Sequence, residues 1–248
     1  MLKTEFKLEF NTVESGKKTV AIIVAAGSAS RMGGVDKQML KLSDTPVIVH
    51  SLRAFDSLQI IDGIIVVTKK DSVLNIQSLV SEYKISKVTD IVEGGTSRAQ
   101  SVINGITACG NDVELVLIHD GARPLVTETI ITDVKNAAEL YGAATCAVPI
   151  KDTVKMVNST GVVVSTPKRS QLVSVQTPQG FKLNVLRNAI ASYKGNLDEV
   201  TDDCSFVELA GGTVYTVNGS YQNIKITTKE DIPIAEQILK NRGNKQCE

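Results

Sequence analysis

No run of apolar residues in this chain exceeds seven, at residues 20–26, whereas a helix needs about 20 to cross a bilayer. The first 18 residues alternate charged with single apolar residues and hold no signal-peptide core. A soluble, cytoplasmic protein is therefore expected. Charge of one sign is missing as well: 27 basic residues balance 27 acidic ones, which argues against general binding of nucleic acid or acidic membranes. Any anion must be gripped by a local cluster. Close cysteine pairs are absent too, since Cys109, Cys146, Cys204 and Cys247 lie 37, 58 and 43 residues apart. That spacing suggests neither a zinc site nor a disulfide framework, and reduced thiols are expected. No staple is needed, because surface scaling has a chain of 248 residues burying about 72% of its extended area.

What the chain does have is alternation of two patterns. Apolar, β-branched runs at residues 19–25, 63–68, 87–92, 114–119 and 143–148 read as buried strands. Between them lie helix-period stripes: Ala99, Val102, Ile103 and Ile106, then Ile130, Ile131, Val134, Ala137 and Ala138 with Thr127 as a candidate N-cap. Thr45-Pro46 reads as the N-cap and first turn of a helix through Phe55. Strands apolar on both faces, alternating with helices, imply an α/β fold: a Rossmann-like, mostly parallel sheet flanked by helices.

The pattern changes after Pro149. Residues 152–158 and 161–166 alternate polar with apolar and are joined by Asn158-Ser-Thr-Gly161, which predicts a β-hairpin. Residues 149–180 are read as a protruding arm, which needs a packing surface such as a second subunit. Helices are expected at about 182–194 and 202–210, a strand near 213–217, and a further strand at Asn223-Ile-Lys-Ile226. A last helix opens on Thr228-Lys-Glu-Asp231. No linker or repeat divides the chain. The reading is an extension (1–18), one domain (19–242) with the arm, and a tail (243–248).

Chemistry gathers where strands end. Ala25-Ala-Gly-Ser-Ala-Ser-Arg-Met-Gly33, followed by Lys37, comes directly after the first strand. Its small residues let backbone N–H groups approach an anion, and Arg31 and Lys37 can spread positive charge over a triphosphate. This is not the dinucleotide fingerprint, because Ala29 stands where the second glycine belongs and Thr68-Lys-Lys70 supplies no acidic residue after the second strand. Nor does a Gly-Lys-Ser/Thr sequence close it as a Walker A loop. Glu93-Gly-Gly-Thr-Ser-Arg98 with Ser101 forms a second strand-to-helix turn, with Thr96 as a candidate N-cap. His119-Asp-Gly-Ala-Arg-Pro124 ends the fourth strand, where Asp120 can hold hydroxyls or a metal and His119 is more simply a hydrogen-bonding group than a base. Lys225 sits in an apolar run, and Thr201-Asp-Asp203 reads as a helix N-terminus.

These pieces, with Asp152-Thr-Val-Lys155, Gln176-Thr-Pro-Gln179 and Asn223-Ile-Lys-Ile-Thr-Thr228, stand in the order found in 2-C-methyl-D-erythritol 4-phosphate cytidylyltransferases. The chain resembles that family over about residues 19–242. The resemblance implies transfer of CMP from CTP to the polyol phosphate with release of pyrophosphate, a step of non-mevalonate isoprenoid synthesis, with Mg²⁺ carried mainly by the CTP phosphates. It implies that Ala25, Ala26, Gly27, Gly95, Thr96 and Ser101 hold the cytidine. Arg31, Lys37 and Lys225 would act on the phosphates, and Asp120 and Arg123 would orient the acceptor. Thr153 and Arg169 would enter from the arm of a partner in a homodimer. Asp36, Met39 and Val173 depart from the family's usual proline, aromatic residue and tryptophan, and residues 1–18 have no counterpart in it.

Two other functions share parts of this pattern. A ribitol 5-phosphate cytidylyltransferase would share fold, loop and arm, and differs around Asp120-Gly-Ala-Arg123 and Asp152-Thr-Val-Lys155. A non-catalytic nucleotide-binding regulator would be expected to lack Arg31, Lys37 or Lys225, and all three are present.

Overall fold

The alternation of β-branched runs with helical stripes sets the order of elements. A computed structural model describes residues 17–27 and 38–244. In chain order these form β1 (Lys18–Val24), β2 (Lys41–Leu42), β3 (Thr45–Pro46), α1 (Val47–Asp56), β4 (Gly63–Thr68), α2 (Val73–Glu82) and β5 (Val88–Glu93). There follow α3 (Arg98–Thr107), β6 (Val113–Asp120), α4 (Glu128–Tyr141), β7 (Ala143–Pro149), β8 (Met156–Val157) and β9 (Val163–Ser165). The chain ends with β10 (Val173–Lys182), α5 (Leu183–Ser192), α6 (Cys204–Leu209), β11 (Tyr215–Asn218) and α7 (Asp231–Asn244).

Seven strands make one sheet in the order β11-β7-β10-β6-β1-β4-β5, parallel except for β10. Successive residues of β1 point to opposite faces. Val20, Ile22 and Val24 pack with α3, α5 and α6 through Val102, Leu186 and Phe206. Ala21 and Ile23 pack with α1, α2 and α4 through Leu52, Ile76 and Val134. Two apolar faces per strand and helices on both sides are the expected α/β architecture, with a three-layer core. No helix among the described residues is long and apolar enough to cross a membrane.

The parallel strands bring their carboxyl ends to one edge. Val24 pairs with both Val67 and Asp120, and Thr68 with Glu93, so the segments after β1, β4, β5 and β6 emerge side by side. A smaller cluster of Leu42, Val47, Ala122, Leu125, Ile226 and Ala235 packs α7 against this edge. The Ile226 N–H donates to the Ala122 carbonyl at 2.8 Å, which lays Lys225 across the end of β6.

Several expectations need correction. The stretch from Val173 to Lys182 is not part of an arm: it is β10, paired antiparallel with β6 and β7 in the middle of the main sheet. Its polar residues disguised it. Gln176, Thr177 and Gln179 are buried, but each hydrogen-bonds inside the protein. The β8–β9 ribbon is shorter than the alternation suggested, closing on a turn in which Gly161 has φ +82° and Asn158 Oδ1 accepts from the N–H groups of Thr160 and Val162. Thr45 does not cap α1: Thr45 and Pro46 pair with Leu42 and Lys41 instead. Asn223 to Ile226 forms no strand, and the cap of α3 is Ser97, not Thr96. Thr127 does cap α4, accepting from the Ile130 N–H.

Candidate active site

A cleft of about 330 Å³ opens at the carboxyl edge of the sheet, where open parallel sheets leave room between strand ends. Ala26 and Gly27 after β1, Gly95 and Thr96 after β5, Ser101 on α3, Asp120 and Lys225 all line it. Ala25 lies beneath, buried, with its N–H on the Val67 carbonyl at 2.7 Å. Arg31 and Lys37 fall outside the described residues. Ser101 organises the loop: its hydroxyl donates to the Ser97 carbonyl at 2.8 Å and accepts from the Gly95 N–H at 3.0 Å. Gly94 meets the first loop so closely that a Cβ there would lie 2.3 Å from the Ala26 Cβ.

Asp120 ends β6 and is 7% exposed. Three cations surround its carboxylate: Lys225 Nζ at 2.8 Å and Arg123 Nε at 3.4 Å from Oδ2, and Arg98 Nε at 3.5 Å from Oδ1. Burial alone would raise its pKa, but the Lys225, Arg98 and Arg123 charges prevail and hold it well below the usual carboxylate range. Arg98 in turn makes a bidentate pair with Asp203, both contacts at 2.8 Å. The carboxylates prevail over burial and raise the guanidinium's pKa further.

A second cleft, of about 430 Å³, lies on the other side of this cluster and is lined by Arg123, Gln176, Thr177 and Gln179. Arg98, Asp120 and Lys225 line both clefts. The sequence-predicted residues thus divide in three. Those of the loops, with Asp120, Arg123 and Lys225, come together. Thr153 and Arg169 line neither cleft: both are exposed, and Arg169 Nη1 donates to the Lys151 carbonyl at 2.6 Å. Arg31 and Lys37 are undescribed.

Sequence reasoning missed the part played by Arg98 and Asp203. A signal was there: a cation in the first turn of a helix faces the positive end of the dipole and calls for a carboxylate partner. The Asp203 carboxyl is raised by burial against the pull of Arg98, and the two-pronged geometry is that of a charged pair.

His119 is not a base. Its Nε2 faces the Arg123 carbonyl at 3.1 Å, which can only accept, so Nε2 carries the proton. Nδ1 then accepts from the Thr177 hydroxyl at 3.1 Å, and that hydroxyl accepts from the Asp120 N–H at 3.0 Å. Burial brings the His119 pKa down to about 4. Since an unfolded histidine titrates near 6.5, the unfolded chain binds a proton between those values that the folded chain refuses. Stability from this group is full above about pH 6.5 and is lost as pH falls toward 4. His50, lowered chiefly by burial, has the same sign, whereas the raised Asp203 works the other way. The thermal midpoint is expected to fall from pH 7 to pH 5, and less steeply in His119→Gln. Parallel slopes in the two proteins would refute this role.

The family model for 2-C-methyl-D-erythritol 4-phosphate cytidylyltransferase matches residues 19–241. This chain belongs to that family. Among curated members of the family, the Bacillus cereus (strain ATCC 10987 / NRS 248) protein is 48% identical over 219 residues, 88% of this chain and 96% of that protein. The Clostridium novyi member is 45% identical over 226 residues, 90% and 97% of the two chains. The crystal structure of 4-diphosphocytidyl-2C-methyl-D-erythritol synthase from Anaerococcus prevotii superposes with a TM-score of 0.79 at 34% identity, covering 91% of this chain and 97% of that one. Within the family's span lie both clefts and every charged residue around Asp120.

Proposed function

We propose that this chain transfers CMP from CTP to 2-C-methyl-D-erythritol 4-phosphate and releases pyrophosphate. The observation that carries the reading is the shared wall of Arg98, Asp120 and Lys225. A nucleotide in one cleft and a phosphate monoester in the other meet there. The acceptor phosphate is mostly ionised at pH 7, its second pKa being about 6, and needs no strong base. One of its oxygens attacks the α-phosphorus, the new P–O bond forms, and the bond to the β-phosphate oxygen breaks. The obstacle is the approach of two anions, so catalysis rests on positioning and fixed charge. Lys225 offers a cation at the junction, and Arg31 and Lys37 are assigned to the triphosphate from their place in the loop sequence. The neutral His119 fits this scheme.

Mg²⁺ enters this proposal as an ion carried mainly by the nucleotide. Among the described residues no group of three or more His, Cys, Asp or Glu side chains forms a metal cage, and Asp120 is already engaged by three cations. Magnesium commonly binds substrate phosphates with one or two carboxylates, and when bound it neutralises charge on the triphosphate.

A homodimer completes the site in this proposal. Met156, Val157, Val162, Val163, Val164, Val173 and Val175 are each 40–61% exposed, an apolar patch of the kind that marks an interface. Thr153 and Arg169 lie on the same segment and would reach the partner's acceptor cleft. The proposed setting is the cytoplasm.

Pyrophosphate release from CTP and Mg²⁺ tests the reaction, with methylerythritol 4-phosphate and ribitol 5-phosphate offered separately. Release with the first alone is expected. Release with the second alone would move the chain to ribitol phosphate, and CTP binding without release would leave a regulator. Gly94→Ala is expected to weaken CTP binding by about tenfold or more, since the added methyl must part the two loops. Calorimetric affinity equal to wild type would show that the close approach is unimportant.

A further inference from the structure

The Lys225–Asp120 contact poses a problem for the reaction just proposed. Lys225 cannot serve a phosphate while it remains wholly committed to Asp120 Oδ2 at 2.8 Å. Withdrawing the nearest cation from a buried carboxylate is strongly unfavourable unless other charges stay behind. Two do. Arg123 shares Oδ2, and Arg98 lies against Oδ1.

Arg123 is tied by one terminal nitrogen, Nη1, which donates to the Asn223 carbonyl at 2.9 Å, whereas Arg98 is tied by both. Both terminal nitrogens of its guanidinium are taken by Asp203, a fully buried residue. Asp203 is itself fixed: its N–H donates to Gln179 Oε1 at 2.9 Å, and Gln179 Nε2 donates to Asp202 Oδ2 at 2.8 Å. Asp202 also accepts from the Ser205 hydroxyl and N–H, which anchors the start of α6. Arg98 therefore faces Asp120 only through Nε and has no free fork with which to follow an incoming phosphate.

We infer that Arg98, clamped by Asp203, is a positioning residue that retains Asp120 in place so that Lys225 can transfer from that carboxylate to the acceptor phosphate. Lys225 is the one of the three cations facing Asp120 whose departure toward a phosphate leaves that carboxylate with two arginines still against it. Lysine cannot replace Arg98, because a point charge cannot hold both oxygens of Asp203 and still face Asp120. The inference rests on the proposed reaction and gives Arg98, on the wall between the clefts, a role that acts through Asp120.

The test is a double-mutant cycle between Arg98→Gln and Lys225→Ala in the full-length protein, with Arg98→Lys and Asp203→Asn alongside. Affinity for a CTP analogue with a methylene between the α- and β-phosphorus, thermal midpoint and steady-state constants are measured for each. Arg98→Gln is expected to lower kcat on the order of 100-fold, with affinity for the analogue within about threefold of wild type. In the Lys225→Ala background the same change should cost much less, since no lysine is left to release, and such non-additivity is the signature of a shared step. Arg98→Lys should recover little, and Asp203→Asn should resemble Arg98→Gln in its kcat loss. Additive losses, or a fall in nucleotide affinity matching the fall in kcat, would overturn the inference. An inactive wild-type protein would instead overturn the proposed reaction.

Discussion

Lys225→Ala is expected to reduce kcat on the order of 1000-fold while leaving CTP binding close to wild type. The lysine is half-buried, with its ammonium 2.8 Å from Asp120 Oδ2 at the wall between the clefts. Charge gathers there in the transition state and not in the bound nucleotide, so the loss falls on turnover and not on binding. The fold should survive, because Asp120 keeps Arg98 and Arg123 and the apolar neighbours Ile224 and Ile226 remain packed under the 122–125 loop. Lys225→Arg retains the charge but is longer and forked, and should recover only part of the rate. Stopped-assay pyrophosphate release and calorimetry with CTP decide the matter. A near-normal kcat would remove Lys225 from the chemistry, and an equal loss in binding would make it a nucleotide ligand instead.

Parallel strands were legible because residues such as Ile22 and Ile23 must both be apolar when each face of the sheet carries helices. Their carboxyl ends then had to share an edge, which puts Gly95 and Asp120 together on the sequence pattern alone. The strand β10 was hidden for the opposite reason. Gln176, Thr177 and Gln179 look like loop residues, and only the finished structure supplies their partners: Ser220, His119 and Asp202. Long-range polar pairing leaves no periodicity in a sequence. The Arg98–Asp203 pair, 105 positions apart in the chain, was illegible on the same ground, although Arg98 follows the Gly94-Gly95 turn and Asp203 stands at the start of α6.

A site completed by a second subunit would leave the hardest trace of all, and it yields the second large expectation. Lys37→Ala alone should abolish or sharply reduce turnover, as should Arg169→Ala, the latter chiefly through use of the acceptor. Mixed under conditions of subunit exchange, the two inactive proteins should regain activity. In a hybrid dimer, one site combines the Lys37→Ala loop with the arm carrying Arg169→Ala, and is doubly damaged. The other combines an intact loop with an intact arm. With random exchange of equal amounts, half the dimers are hybrids and each has one good site, so the mixture should reach about a quarter of wild-type activity. Arg169 is exposed and away from both clefts of its own chain, the position expected of a side chain that serves a partner's site. Were Arg169 to act within its own chain, the hybrid's sites would carry one lesion each and none would be whole. Silence in a mixture whose exchange is verified by mass-tagged subunits would therefore place Arg169 in its own chain's site, and would confine the apolar ribbon to holding the subunits together.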